Sequence, residues 1–328
     1  MKNGVAQVLE KPVPSVLIDA LKKQKYHIVG KHSAVKKCKW VHEALVNGRA
    51  CYKEKFYGIK THRCMQMTPA LFYCTQQCLF CWRAQNTDLK VSWNELDEPF
   101  WDAPDLIVQE SFKAHRETLS GYKGHAKANK IKFTEAMMPK HVAISLAGEP
   151  TFYEHIGELI STYHKKGLTT FLVSNGTLPK RLASLREEPT QLYISCCAPN
   201  EEIFNVLCRP QVQGAWSRLN ETLALLKSFR CPTVIRLTLV KNYNMKHVEE
   251  YAKLIEKATP TYIEAKAYMH VGFSTHRLSH LNMPEHSEIC SFATALSETT
   301  GYQIVDESRE SRVVLLSKHG KPKRFETH

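Results

Sequence analysis

The chain has 328 residues, 43% of them hydrophobic, with 45 Lys plus Arg against 32 Asp plus Glu, a formal net charge of +13 and a sequence pI of about 9.2. Its length allows one large α/β domain or two smaller ones, and the positive balance favours a polyanionic partner, nucleic acid or an anionic membrane surface, over a solvated basic face with no partner. No apolar run approaches the roughly 20 residues of a membrane span and MKNGVAQVLEKPVPS lacks a signal-peptide core, so a cytoplasmic setting is expected, in which the 11 cysteines are not a disulfide framework.

In chain order, residues 1–65 are basic and cysteine-bearing with no clear strand, and Pro12 and Pro14 precede a short amphipathic helix around Ser15–Gln24. MQMTPALFYC reads as a strand running into the cysteine-rich YCTQQCLFCWR, residues 104–120 as a helix, and 120–133 as a basic loop. Strand and helix then alternate. HVAISLAGEP (141–150) is a strand ending in a turn, and 152–167 is a helix stopped by Gly167. Strands follow at LTTFLVSNGT and at 192–200, 233–244 and 262–272, with helices at 215–229 and 246–258. Six strands, near 68, 142, 170, 193, 234 and 263, predict right-handed βαβ units around a parallel sheet. Sites in such folds gather at the C-terminal ends of strands. No linker divides the chain, so the expected organisation is an N-terminal extension (1–65), a (β/α)6 core (66–285) and C-terminal helix, strand and basic tail (286–328).

Cys74, Cys78 and Cys81 stand within eight residues. Thiolates are soft ligands for iron–sulfur clusters, zinc and copper(I). A structural zinc site is closed by four protein ligands, whereas three thiolates on a [4Fe–4S] cube leave the fourth iron open. A zinc clip with a remote fourth ligand such as a histidine is the alternative. The five scattered cysteines, Cys196, Cys197, Cys208, Cys231 and Cys290, read as small buried apolar residues.

Cys74-x3-Cys78-Leu79-Phe80-Cys81, with an aromatic before the last cysteine, resembles the radical S-adenosylmethionine enzymes. The resemblance implies a partial (β/α)6 radical-SAM barrel, a [4Fe–4S] cluster on these three cysteines, and S-adenosylmethionine on its open iron. Ala147-Gly148-Glu149-Pro150 is similar to that family's segment for the methionyl amino group, with Ala in place of the first Gly. Ser174 and Asn175 resemble its polar contact to ribose and carboxylate, although an Asn-Gly turn alone is common. Arg236 is expected to neutralise a carboxylate, or else to pair with a neighbouring acid.

Cys38, Cys51 and Cys64 lie thirteen residues apart each time. On residues alone they suit a Cys3His zinc site with His42 or His62. This run directly before the radical motif, with ESFKAHRETLSGYKGH and EAKAYMHVG, resembles the wyosine-base-forming tRNA enzymes in their stand-alone archaeal form. That resemblance implies a second [4Fe–4S] cluster on Cys38, Cys51 and Cys64, with an open iron able to chelate pyruvate. It implies condensation of pyruvate with 1-methylguanosine beside the anticodon of tRNA(Phe): hydrogen loss from the methyl group, addition to the pyruvate carbonyl carbon, scission of the bond to the carboxylate, and closure of a third ring. It places a Schiff-base lysine two residues after the middle cysteine, at Lys53. An external flavodoxin- or ferredoxin-like donor and a monomer are expected. Trp40, Tyr52, Phe56 and Tyr57 interleave with nine Lys or Arg in residues 31–64 and read as RNA-stacking groups. YKGHAKANKIK (122–132) and SKHGKPKRF (317–325) are candidate phosphate contacts. A radical enzyme acting on a peptide, with an auxiliary cluster, and a non-catalytic zinc-dependent RNA-binding protein are the competing readings.

Overall fold

In the computed structural model the strands are β1 His27–Val29, β2 Ser33–Val35, β3 Cys64–Thr68, β4 His141–Ile144, β5 Thr169–Ser174, β6 Gln191–Ser195, β7 Thr233–Leu239, β8 Tyr262–Ala267, β9 Gln303–Ser308 and β10 Val313–Ser317. The structure describes residues 13–325, so Pro12 and the preceding N-terminal residues lie outside the described residues. All ten strands form one sheet in the order β1-β2-β3-β4-β5-β6-β7-β8-β10-β9. β3 through β8 are the six expected strands, paired parallel in sequence order, and antiparallel strands extend both edges. No helix among the described residues is long and apolar enough to cross a membrane.

Parallel strands covered on both faces carry apolar residues on both. Val142, Ile144, Leu172, Leu192, Ile194, Ile235, Leu237 and Ile263 join the core built with the crossover helices. The alternate residues Phe171, Tyr193, Val234 and Tyr262 form a second core with Tyr52, Phe56 and Tyr57 from helix Tyr52–Tyr57. This helix therefore fills the face of the sheet opposite the crossover helices. It stops at Gly58, whose φ of +75° is the left-handed cap glycine adopts most easily.

The N-terminal extension departs from expectation. It carries the β1–β2 hairpin, whose three-residue strands are too short to show a period, and it supplies the first two residues of β3, Cys64 and Met65. Tyr52, Phe56 and Tyr57 are 7%, 1% and 0% exposed, so they are core residues and cannot stack on RNA. The strand expected over MQMTPALFYC ends at Thr68, before Pro69. Residues 120–133 are not wholly a loop: helix Lys130–Ala136 begins there, capped by the Asn129 side chain, which accepts from the Lys132 N–H. The helix expected from 152 starts at Ile156, because Pro150–Phe152 form a 3-10 turn capped by Glu149.

Candidate active site

The triple-cysteine loop is tied to the ends of the strands around it. Thr68 donates its hydroxyl to the Ala147 carbonyl (2.6 Å), and the Glu149 N–H donates to Tyr73 O (2.9 Å), linking the loop to the end of β4. Asn175 Nδ2 donates to Thr75 Oγ1 (2.8 Å), linking it to the end of β5. Leu79 N–H donates to Leu207 O (2.9 Å) and Phe273 N–H to Trp82 O (3.0 Å), beyond β6 and β8. Arg277 bonds the Cys81 carbonyl and Asp88, and Arg83, buried with Glu95 (2.7 Å), lies within electrostatic reach of Cys74 and Cys81.

Around this loop the structure brings together Gly148, Glu149, Ser174 and Asn175. Gly148 has φ +69°, and a Cβ there would run into the carbonyl oxygens of Ala70 and Tyr73, so only glycine fits. Glu149 is 2% exposed; its carboxylate accepts from Thr151 N–H (3.0 Å), Thr151 Oγ1 (2.6 Å) and Asn175 N–H (2.7 Å). Burial raises its pKa against these hydrogen bonds. Ser174 Oγ accepts from Gly176 N–H (3.0 Å). Arg236 lies elsewhere. It ion-pairs with Glu264 (3.0 Å), bonds Tyr52 Oη (2.9 Å) and lies over the Tyr193 ring at 4.6 Å.

Arg236 belongs with the upstream cysteines. Cys38 and Cys51 are the N-caps of helices Lys39–Val46 and Tyr52–Tyr57, and Cys64 opens β3. Burial first, and then the neighbouring Cys38 thiol, push Cys51 and Cys64 up to about 12. Burial also raises Cys38, opposed by backbone N–H groups and by Lys53 and Lys266. Burial raises Cys74, while the Cys208 thiol and then burial raise Cys78. Thiols so placed ionise only beside a compensating cation, which a metal or cluster supplies.

The donor sets fit a cluster better than a zinc ion. Three thiolates leave a structural zinc one ligand short, but they satisfy three irons of one cube and leave the fourth open. His42 and His62, the alternative zinc ligands, are bonded to Tyr122 and Glu135.

The second trio lies within electrostatic reach of a cluster of buried cations. The Lys53 Nζ lies 4.2 Å from the Tyr193 ring centre and 5.0 Å from that of Phe171. Burial, and then the positive charge of Arg236, bring Lys53 down to about 8 against Glu264, Cys64 and Cys51. Lys266 is lowered to about 8 by the same two causes and donates to Ser311 O (2.7 Å). Glu264, fully buried, accepts from Tyr52 Oη (3.0 Å), Tyr57 Oη (2.9 Å) and Arg236 Nε (3.0 Å). Burial pushes its carboxyl up, but Arg236, Lys53 and the two tyrosines hold it below the usual value. Cys197, at the end of β6, feels both Cys78 and Arg236 and so links the two regions. The cluster thus presents an amine whose pKa is brought down to about 8, two more cations and one fixed carboxylate. Glu264, Lys266 and the tyrosine hydroxyls were missed in the sequence; the signal was the pair of charges two residues apart in the otherwise apolar YIEAKAY.

The family model described as Radical SAM superfamily matches residues 70–255, and that described as Wyosine base formation matches residues 257–318. The S-adenosyl-L-methionine-dependent tRNA 4-demethylwyosine synthase of Pyrococcus abyssi is 50% identical over 321 residues, 96% of this chain and 93% of that protein. Its Methanocaldococcus jannaschii counterpart is 42% identical, covering 93% and 96%. A solved structure of TYW1 with a lysine-pyruvate adduct bound is 39% identical and superposes with a TM-score of 0.86 over 95% of this chain and 100% of that one. The chain belongs to the S-adenosyl-L-methionine-dependent tRNA 4-demethylwyosine synthases, a branch of the radical SAM superfamily.

Proposed function

We propose that this enzyme condenses 1-methylguanosine of tRNA(Phe), beside the anticodon, with pyruvate to form 4-demethylwyosine, using one [4Fe–4S] cluster on Cys74, Cys78 and Cys81 and a second on Cys38, Cys51 and Cys64. The observation that carries it is the convergence of the second trio with Lys53, Lys266 and Arg236 in one buried charge cluster around Glu264 and Tyr193. A TYW1 relative with a lysine-pyruvate adduct supports the same reading. When bound, the first cluster with S-adenosylmethionine supplies one-electron chemistry that takes a hydrogen from the methyl group; a flavodoxin- or ferredoxin-like donor provides the electron.

The chain's own residues do the rest. Gly148 lets the backbone approach the cysteine loop, while Glu149 fixes the end of β5 so that Ser174 and Asn175 face the cofactor. Lys53, its pKa brought down to about 8, attacks the pyruvate carbonyl carbon through its neutral amine, and the carbonyl oxygen leaves as water with the two amine protons, so that pyruvate is held as an imine. Lys266 and Arg236 offer positive charge to the carboxylate, and Glu264 keeps Arg236 in place. Anaerobic turnover with dithionite, S-adenosylmethionine, pyruvate and methylated tRNA, read by nucleoside mass spectrometry, tests the whole scheme. The tricyclic base must appear only when all four are present.

A further inference from the structure

Far along the chain from both cysteine trios, three side chains of different donor type converge on the C-terminal edge of the sheet. They are the imidazole of His286, the thiol of Cys290 and the carboxylate of Glu307, with ligand atoms all within 4.8 Å of one another. His286 opens helix His286–Thr300 and Cys290 follows four residues on, so one helix face presents both. Glu307 reaches them from β9.

The separations match a coordination polyhedron. Cys290 Sγ lies 3.5 Å from His286 Nε2 and 3.4 Å from Glu307 Oε2, and the nitrogen lies 3.3 Å from the same oxygen. Metal bonds of about 2.3 Å to sulfur and about 2.0–2.1 Å to nitrogen and oxygen, at tetrahedral angles, give edges of about 3.5 Å for S–N and S–O and about 3.3 Å for N–O. One sulfur, one imidazole and one carboxylate select a borderline ion such as Zn2+ over Mg2+ or Ca2+, which prefer oxygen alone. Side-chain exposures of 13% for His286 and 55% for Glu307 leave the fourth position open to solvent.

Two neighbouring features define what the site does. Among the described residues His286 Nδ1 is buried without a hydrogen-bond partner, so none of them steadies the ring as an outer acceptor; such partners are worth about 10–100-fold in metal affinity. Lys55, two residues from Lys53, donates to Glu307 O (2.5 Å) and pairs with Asp306 (2.7 Å). An ion at this trio therefore clamps β9, and through Lys55 braces the helix that carries Lys53. We propose that His286, Cys290 and Glu307 form a zinc site, separate from both cysteine trios, with water in the fourth position.

The test uses cluster-loaded enzyme, titrated anaerobically with Zn2+ against a chromophoric chelator, with iron and zinc measured on the same samples. One zinc per chain binds at unchanged iron content. Cys290→Ala and His286→Ala each weaken it about tenfold or more, and zinc raises the melting temperature of the parent but not of the variants. Glu307→Gln, which keeps the side-chain shape, shows the same loss and guards against misfolding of the alanine variants. Absence of zinc binding, zinc uptake that displaces iron, or equal binding by parent and variants overturns the site.

Discussion

Glu264 lies wholly out of solvent while holding two tyrosines and an arginine, so its charge is what keeps Arg236 compensated. Glu264→Gln leaves that guanidinium buried without its counter-charge and is expected to cost about 3–5 kcal/mol in denaturant unfolding. Tyr57→Phe removes one hydrogen bond to a charged group, about 1.5–3 kcal/mol. A near-silent Glu264→Gln would mean that solvent already screens the pair. At Gly148 an added methyl meets two carbonyl oxygens in a left-handed backbone. Gly148→Ala is therefore expected to abolish S-adenosylmethionine binding in equilibrium dialysis, by moving the loop that carries Tyr73 and Cys74. At Lys53, borohydride added with pyruvate should trap an adduct in the peptide spanning Cys51 to Lys60. Lys53→Arg keeps the charge but cannot form an imine, so it should yield neither adduct nor tricyclic base. Substantial product from the arginine variant would reduce Lys53 to an electrostatic role.

Helix Tyr52–Tyr57 does two jobs with one turn and a half of chain. Its N-cap is Cys51, its first turn holds Lys53, and its aromatic face fills the sheet. Cys51→Ala should lower iron by about half and end formation of the tricyclic base, while S-adenosylmethionine cleavage continues on the other trio. Cys74→Ala should lower iron by a similar share and end cleavage itself. Loss of cleavage in both variants would make the upstream trio structural or an electron relay. This helix also marks where sequence reading stops. The six parallel strands were legible because strand and helix alternate over β3 to β8, and the family because the spacing of Cys74, Cys78 and Cys81 is distinctive. The interleaved cations and aromatics of residues 52–57 looked like an RNA surface, since a short amphipathic helix and a stacking motif share that composition. Only the sheet beneath decides which face is buried. Charges inside β8 were equally silent: Glu264 and Lys266 are tolerable only because Arg236 and Tyr52 arrive from elsewhere in the chain. Cys290, grouped with the buried cysteines, is half-exposed beside His286 and Glu307, a pairing of helix and strand that no local spacing shows.

Across the whole molecule the surplus of 13 positive charges suits a polyanion, and tRNA affinity should fall steeply between low and physiological salt. Lys123 and Lys127 are exposed on the 120–133 segment, whereas Lys130 is spent on the carbonyls of Lys123 and His125. Reversing Lys123 and Lys127 to Glu should weaken binding and flatten the salt slope by roughly 0.7–0.9 for each phosphate no longer neutralised, at unchanged iron. Affinity insensitive to salt would remove nucleic acid as the partner of this surface. The end of the described chain also closes on the helix Tyr52–Tyr57. Phe325 N–H donates to Tyr57 O (2.7 Å), its ring packs against Phe171 at 5.7 Å, and Lys55 reaches Asp306 and Glu307 across some 250 residues. The helix bearing Cys51 and Lys53 is thus closed over by segments some 250 residues further along the chain. A chain that stops before residue 303 keeps the cysteines of both trios yet loses the contacts from Asp306, Glu307 and Phe325 that hold this helix from its far side.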